Sequence, residues 1–208
     1  MLFPSIQQYI EQAVQQFDTI PTERIQLLSK ISQYVATKIK AGENAELIYI
    51  CTHNSRRSHF GQIWAKTAAA YYGFENVQTY SGGTEATAFN ANAIKAAKGV
   101  GFEISDNGAT ANPHYRVKYD ADKEGILCFS KKYDDLANPQ EGFCAIMTCT
   151  EADGACPFVA GAVARVSTPY LDPKAFDGTP EQDAKYSERC LQIATETLYA
   201  FSLVKNLL

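Results

Sequence analysis

One stretch constrains this chain more than any other: Ala45 to Lys66, AELIYICTHNSRRSHFGQIWAK. Leu47 to Ile50 is a short apolar, β-prone run of the kind that lies in the core of a parallel sheet. From Ser58 onward Phe60, Ile63, Trp64 and Thr67 recur at helical spacing. The order is strand, polar loop, helix, and the loop holds Cys51 and Arg57 with five residues between them. A loop ending at a helix N-terminus aims backbone N–H groups and the positive end of the helix dipole at one point, which suits a tetrahedral oxyanion. The same field favours a thiolate at Cys51 and so a nucleophile. Arg57 is then placed to grip two oxygens of the anion through its planar fork, and the Ser58 hydroxyl to donate to the sulfur. The spacing alone is common; its position directly after a strand and before a helix gives it weight. A buried cysteine beside a solvated arginine is the competing structural reading.

The rest of the chain supplies strands and helices in alternation. Gly73 stops the helix after Tyr72, Val77 to Tyr80 reads as a second strand running into Ser81-Gly82-Gly83, and Asn90 to Lys98 reads as a helix closed by Gly99 and Gly101. Phe143 to Met147 and Val163 to Ser167 are the third and fourth strands, and a long last helix opens at Thr179-Pro180-Glu181. This alternation predicts an α/β fold: a three-layer α/β/α arrangement around a four-stranded parallel sheet. Two segments stand outside the rhythm. Residues 1–44 read as an N-terminal helical hairpin, with Ile6, Tyr9, Ile10 and Val14 on one stripe and Ile25, Leu28, Ile31, Tyr34 and Val35 on the other. They suit a packing appendage or a dimerisation surface, with a substrate-binding role as the alternative. Tyr115 to Tyr119 and Ile126 to Phe129, around a polar turn, read as an inserted β-hairpin at about 113–133. The catalytic domain is therefore expected over 45–208.

At 208 residues the chain has room for a sizeable core, and its net charge of −4 argues against nonspecific binding to nucleic acid or an anionic membrane. An anion site must then be local. No apolar run is long enough to span a bilayer, and the N-terminus lacks the basic and apolar regions of a signal peptide, which points to a cytoplasmic protein. In a reducing compartment the six cysteines are core residues, catalytic thiols or metal ligands rather than a permanent disulfide frame. Cys128, Cys144 and Cys190 fall in apolar patterns and read as core.

Cys149 and Cys156 differ, standing in a short polar connection after the third strand. Were the segment fully helical, their Cα atoms would lie roughly 10.5 Å apart, beyond the about 7 Å that a disulfide spans. They can bond only if the segment is non-helical or unwinds, so a loop that changes shape with redox state is one reading; two inert thiols and a zinc site are others. Cys51 and Cys149 both lie beyond the carboxyl ends of strands, where ligands bind in open α/β sheets. If the first and third strands are neighbours, about 4.8 Å apart, the two sulfurs come within reach of each other. Asp172, before Pro173, is the remaining candidate: a turn residue in many proteins, and near a thiolate a general acid for a departing oxygen.

Taken together these residues resemble the low-molecular-weight protein tyrosine phosphatases. Cys51 to Ser58 looks like their phosphate loop, and Tyr80-Ser-Gly-Gly-Thr-Glu, Asn90 to Lys98, Ile104-Ser105 and Asp172-Pro173 follow in that family's order. Cys149-x6-Cys156-Pro is similar to the thioredoxin-coupled arsenate reductases built on the same fold, and the likeness covers about Ala45 to Leu208. It implies that Cys51 attacks arsenate, Arg57 holds its oxygens and Asp172 protonates the departing oxygen. Cys149 would then attack Cys51 and release arsenite, and Cys156 would attack Cys149, leaving a disulfide for thioredoxin or a similar thiol reductant. Thr52, His53, Asn54, Ser55, Arg56 and Ser58 would form the oxyanion loop, with Asn54 and Ser58 bracing it. His53 stands where the family usually has glycine, so the tight turn must take a side chain or another geometry. Gln62 replaces an acidic residue that helps hold potassium in some of these reductases, so no cofactor or metal is carried over.

Two other functions fit the same residues. A phosphatase acting on phosphotyrosine or small phosphate esters needs only Cys51, Arg57 and Asp172, but such enzymes tend to have aromatic residues after Asp-Pro, whereas Lys174-Ala175 follows here. A noncatalytic oxyanion-binding module, its loop spoiled by His53, is the third.

Overall fold

The computed structural model describes residues 1–108, 110–155 and 158–208. Its centre is a four-stranded sheet in the order β2-β1-β6-β7, formed by Val77–Gly83, Ala45–Cys51, Phe143–Met147 and Ala162–Ser167, with every neighbouring pair parallel. β1 is therefore an inner strand, hydrogen-bonded on both sides. Its side chains alternate accordingly. Leu47 and Tyr49 enter the larger core, while Ile48 and Ile50 join Phe143, Ala145, Met147 and Val159 under the opposite face. Both faces of the sheet are covered by apolar side chains, as a parallel sheet requires.

Helix α3 (Arg57–Tyr72) runs back along the sheet and packs on the C-terminal helix α6 (Gln182–Leu207). Close approach of α3 to β1 needs Gly61, because a Cβ there would run into the Tyr49 ring. A mid-helix glycine costs about 1 kcal/mol against alanine, so packing overrides propensity. Helix α4 (Ala91–Val100) starts where the Asn90 side chain accepts from the amides of Asn92 and Ala93, at 2.9 and 3.2 Å. It ends at Gly101, left-handed at φ 114°. Gly99, expected as a stop, lies inside the helix. α6 begins at Gln182, just beyond its expected opening.

The two N-terminal helices form where their stripes place them, α1 over Pro4–Val14 and α2 over Thr22–Lys40, joined by a 3-10 turn at Phe17–Thr19. Each packs chiefly on α6 rather than on the other. Tyr9 of α1 stacks on the buried Trp64 of α3 with ring centroids 5.4 Å apart, and Ser32 of α2 donates to the carbonyl of Ala200 in α6 at 2.7 Å. The paired runs read as a hairpin are antiparallel strands β4 (Tyr115–Lys118) and β5 (Ile126–Cys128), and a further strand, β3 (Glu103–Asp106), pairs with β4. The insertion thus supplies the central strand and one edge of a three-stranded antiparallel sheet. Glu103-Ile-Ser-Asp has little apolar surface to declare it as a strand; three of its four residues are exposed or nearly so, and pairing with β4 makes it one. The polar connection after β6 also differs from a plain loop, since Thr150–Ala155 forms a short helix, α5.

Candidate active site

β1 ends at Cys51 and α3 starts at Arg57, so residues 52–56 turn the chain through the space beyond the sheet's carboxyl edge. Carbonyls along this segment accept from neighbouring segments. Cys51 O accepts from Thr84 N at 3.2 Å, Thr52 O from Glu85 N at 2.8 Å, and Ser55 O from Asn90 N at 2.9 Å. The carbonyl of His53 accepts from the hydroxyls of Ser130 and Thr87, at 2.9 and 3.1 Å. Among the described residues, none of the amides of Thr52 to Arg56 donates to another group. The N-terminus of α3 has no side-chain cap either. Successive amides without a partner, ahead of an uncapped helix N-terminus, suit an oxyanion. Gly83 lets its neighbouring strand lie against this loop, because a Cβ there would stand 2.6 Å from Thr52 O and 2.7 Å from Asn54 N.

The turn that His53 was expected to disturb is taken one residue later. Asn54, at φ 44°, is the one non-glycine with positive φ among the described residues, and asparagine tolerates that region better than most. Its side chain is fixed at both ends: Oδ1 accepts from Lys131 N at 2.9 Å, and Nδ2 donates to Ser58 Oγ at 2.9 Å. Because the Ser58 oxygen accepts there, its proton is free for Cys51 Sγ, 3.1 Å away. His53 directs its half-exposed side chain away to Glu85, with Nε2 3.6 Å from Oε2.

Arg57 and Asp172 meet although 115 residues separate them: the guanidinium donates to Asp172 Oδ2 at 2.7 Å and to Tyr170 O at 2.8 Å. The Arg57 Nε is buried and unpartnered, so part of the fork is unused. Asp172 caps the 3-10 turn Pro173–Phe176, its Oδ1 accepting from Lys174 N at 3.0 Å. Arg56 points its guanidinium at two partners from other elements. It donates to Tyr186 Oη at 3.0 Å and stands 3.7 Å from Asp172, a second cation beside the same carboxylate.

Adjacency of β1 and β6 brings Cys149 to the loop, with its Sγ 3.5 Å from Thr52 Oγ1 and 3.3 Å from the Ala152 amide. Burial pushes the Cys149 thiol up; Thr52, the Ala152 amide and Arg57 draw it down, and Cys51 adds to the rise. Both Cys51 and Arg57 therefore lie close enough to act on it electrostatically. Cys156 lies outside the described residues, so its position relative to Cys149 is not part of this geometry. Cys128, Cys144 and Cys190 are buried, with burial pushing each thiol up to about 12. Such thiols are unreactive at neutral pH.

Residues that sequence reasoning passed over also hold the loop in shape: Ser130 and Lys131 from the segment after β5, and Tyr186 from α6. Thr84 and Glu85 do the same after β2, within the Tyr80-Ser-Gly-Gly-Thr-Glu stretch singled out in the sequence. Ser130, Lys131 and Tyr186 act across 77 to 130 positions, and no pattern in their own neighbourhood announces it.

No protein-family model matches the chain. Among curated proteins, an arsenate reductase of Bacillus subtilis strain 168 is 29% identical over 147 residues, covering 71% of this chain and 87% of that protein. An arsenate reductase of Halalkalibacterium halodurans is 30% identical over 140 residues, covering 67% and 82%. Among solved structures, a low-molecular-weight phosphotyrosine phosphatase from Vibrio cholerae O395 superposes with a TM-score of 0.53 at 12% identity, over 78% of this chain and 96% of that one. At that identity the superposition bears on the fold.

Proposed function

The chain belongs to the arsenate reductases of the low-molecular-weight protein tyrosine phosphatase superfamily, and on that premise we propose that it reduces arsenate through a relay of Cys51, Cys149 and Cys156. In this reading the unpaired amides of residues 52–56 and the free side of the Arg57 fork receive the arsenate oxygens. Cys51 Sγ, steadied by Ser58, attacks arsenic. Asp172 gives a proton to the oxygen that leaves, which departs as water. The product is a thio-arsenate ester on Cys51 with arsenic still pentavalent.

Cys149 then attacks the Cys51 sulfur. The S–As bond breaks with its electron pair going to arsenic, arsenite leaves, and a Cys51–Cys149 disulfide remains. Attack of Cys156 on Cys149 frees Cys51 and passes the disulfide outward to thioredoxin or another thiol reductant. If α5 stays helical, Cys149 and Cys156 are about 10.5 Å apart in Cα, so this last transfer requires α5 to unwind.

The observation that carries the reading is the second thiol at the loop: Cys149 Sγ lies 3.5 Å from the hydroxyl of Thr52, the residue next to Cys51. Ester hydrolysis on the same loop would leave that thiol without a task. The test is arsenite production by the Cys149→Ser variant with a thiol reductant present. Loss of turnover, with the ester trapped on Cys51, is the expected result. Unchanged arsenite production removes Cys149 from the chemistry and ends the relay. Hydrolysis of para-nitrophenyl phosphate that survives loss of both Cys149 and Cys156, in a chain that makes no arsenite, would assign the loop to phosphate esters instead.

A further inference from the structure

Asp172 sits on a five-residue strap, Thr168 to Asp172, that leaves β7 and crosses the mouth of the loop. Thr168 N and Tyr170 N donate to Met147 O and Thr148 O, at 2.8 and 3.1 Å, which holds the strap's inner edge to the end of β6. Tyr170 links the two sides: its carbonyl accepts from Arg57, and its buried hydroxyl donates to Glu196 Oε2 of α6 at 2.9 Å. The same carboxylate oxygen accepts from Arg24 Nε of α2 at 2.7 Å, and Gln192 holds the other oxygen at 3.0 Å. Arg24 also donates to Pro169 O at 3.2 Å and lies with its guanidinium carbon 4.6 Å from the centroid of the Tyr170 ring. Its side chain is 13% exposed and that of Glu196 6%, so water competes little for these bonds.

We propose that Arg24, on the N-terminal helix α2, is a positioning residue for the active site: with Glu196 it fixes Tyr170, and through Tyr170 it sets where Asp172 and Arg57 stand. Apart from Arg24 and Glu196, the strap is held by the end of β6 and by the Arg57 and Arg56 guanidinium groups themselves, and Leu171, between Tyr170 and Asp172, is 78% exposed. Arg24 reaches the strap at two adjacent residues, by hydrogen bond at Pro169 and over the ring at Tyr170. A planar fork does this and a lysine ammonium does not. A buried ion pair is a poor source of stability compared with apolar packing, whereas it is well suited to fixing one geometry. The proposal rests on the reading of Asp172 and Arg57 as catalytic, and it gives the helices before β1 a part in the chemistry.

The experiment compares wild type with Arg24→Met, Arg24→Lys and Tyr170→Phe, each alone and combined with Asp172→Asn. Turnover is followed as arsenite production and as para-nitrophenyl phosphate hydrolysis across pH, with thermal unfolding alongside. Misplacement of a catalytic group by about 1 Å costs on the order of a hundredfold in rate. Arg24→Met is expected to lower kcat about ten- to hundredfold with a smaller change in KM, and to change the shape of the pH profile. Lysine should restore little of that loss. Tyr170→Phe, which keeps the ring and removes the hydroxyl, should move kcat in the same direction. In the Asp172→Asn background the Arg24 and Tyr170 substitutions should cost less than in the wild-type background, because the part of their effect that runs through Asp172 is already gone and only the part that runs through Arg57 remains.

Loss of thermal stability with kcat and its pH profile intact, or losses that multiply with Asp172→Asn, would overturn the proposal. Should Arg24→Met fail to fold, the lysine and phenylalanine variants decide by the same criteria. Hydrolysis that obeys this pattern in a chain making no arsenite would uphold the positioning role and sink the reductase reading. A wild-type chain that turns over neither substrate would sink both.

Discussion

Ser58 is bound on two sides, accepting from Asn54 and lying 3.1 Å from Cys51 Sγ, so its proton has one place to go. A hydrogen bond to a charged acceptor contributes about 1.5–3 kcal/mol. Ser58→Ala should therefore cut the rate of the first arsenate-dependent step about ten- to hundredfold, with arsenate affinity, measured by calorimetry on Cys51→Ser backgrounds, changed far less. Equal loss of binding and rate would place Ser58 in the anion cradle rather than at the sulfur. Asn54 shows how a local rule can be right about the loop and wrong about the residue. A tight turn was expected to trouble His53, yet the left-handed position fell to Asn54, whose amide is braced by Lys131 from another segment.

At the level of elements, α5 is where the proposed relay must give way. It is pinned to β7 by Asp153, which takes the Arg165 guanidinium and accepts from Ser167 Oγ at 2.8 Å, while Arg165 also donates to the Asp153 carbonyl at 2.9 Å. Asp153→Ala should speed formation of the Cys149–Cys156 disulfide after arsenate treatment, read by quenched alkylation and mass spectrometry. It should also lower the melting temperature slightly. A slower or unchanged rate would mean that unwinding of α5 does not limit the transfer. The sequence signalled a polar segment there but not a helix, because six residues are too few for a periodic stripe and α5 owes its form to the sheet beneath it.

Across the whole molecule, the acid limit of stability has a named contributor. His59, fully buried in α3 with its ring 4.1 Å from that of Phe89, has its pKa pushed down to about 3 by burial and by the Lys131 ammonium. Unfolded, the same imidazole titrates near 6.5. Below that pH the unfolded chain binds a proton that the folded one refuses, so stability present above pH 6.5 is lost progressively as pH falls toward 3. The slope should approach about 1.4 kcal/mol per pH unit. Urea unfolding of His59→Gln between pH 7 and 4 should show a shallower decline than wild type; parallel curves would mean that His59 is charged in the fold. Nothing near residue 59 in the chain forecasts this, since the Phe89 ring against it and the Lys131 charge near it are brought in by other elements.

What could be read before any coordinates was whatever short-range forces decide. The apolar run before Cys51, the helical spacing after Ser58, the helix opening at Asn90 and the Gly73 and Gly101 stops each act within a few residues, and each fell within a residue or two of its expected place. The cysteine and arginine of the loop were legible for the same reason, since one strand and one helix fix their separation. Everything joining distant segments needed the folded chain: Arg57 against Asp172, Cys149 against Thr52, β3 against β4, and Arg24 reaching the strap through Glu196. Those contacts depend on strand order and on which buried polar groups find partners, and both are set by packing of the whole core rather than by any stretch of chain on its own.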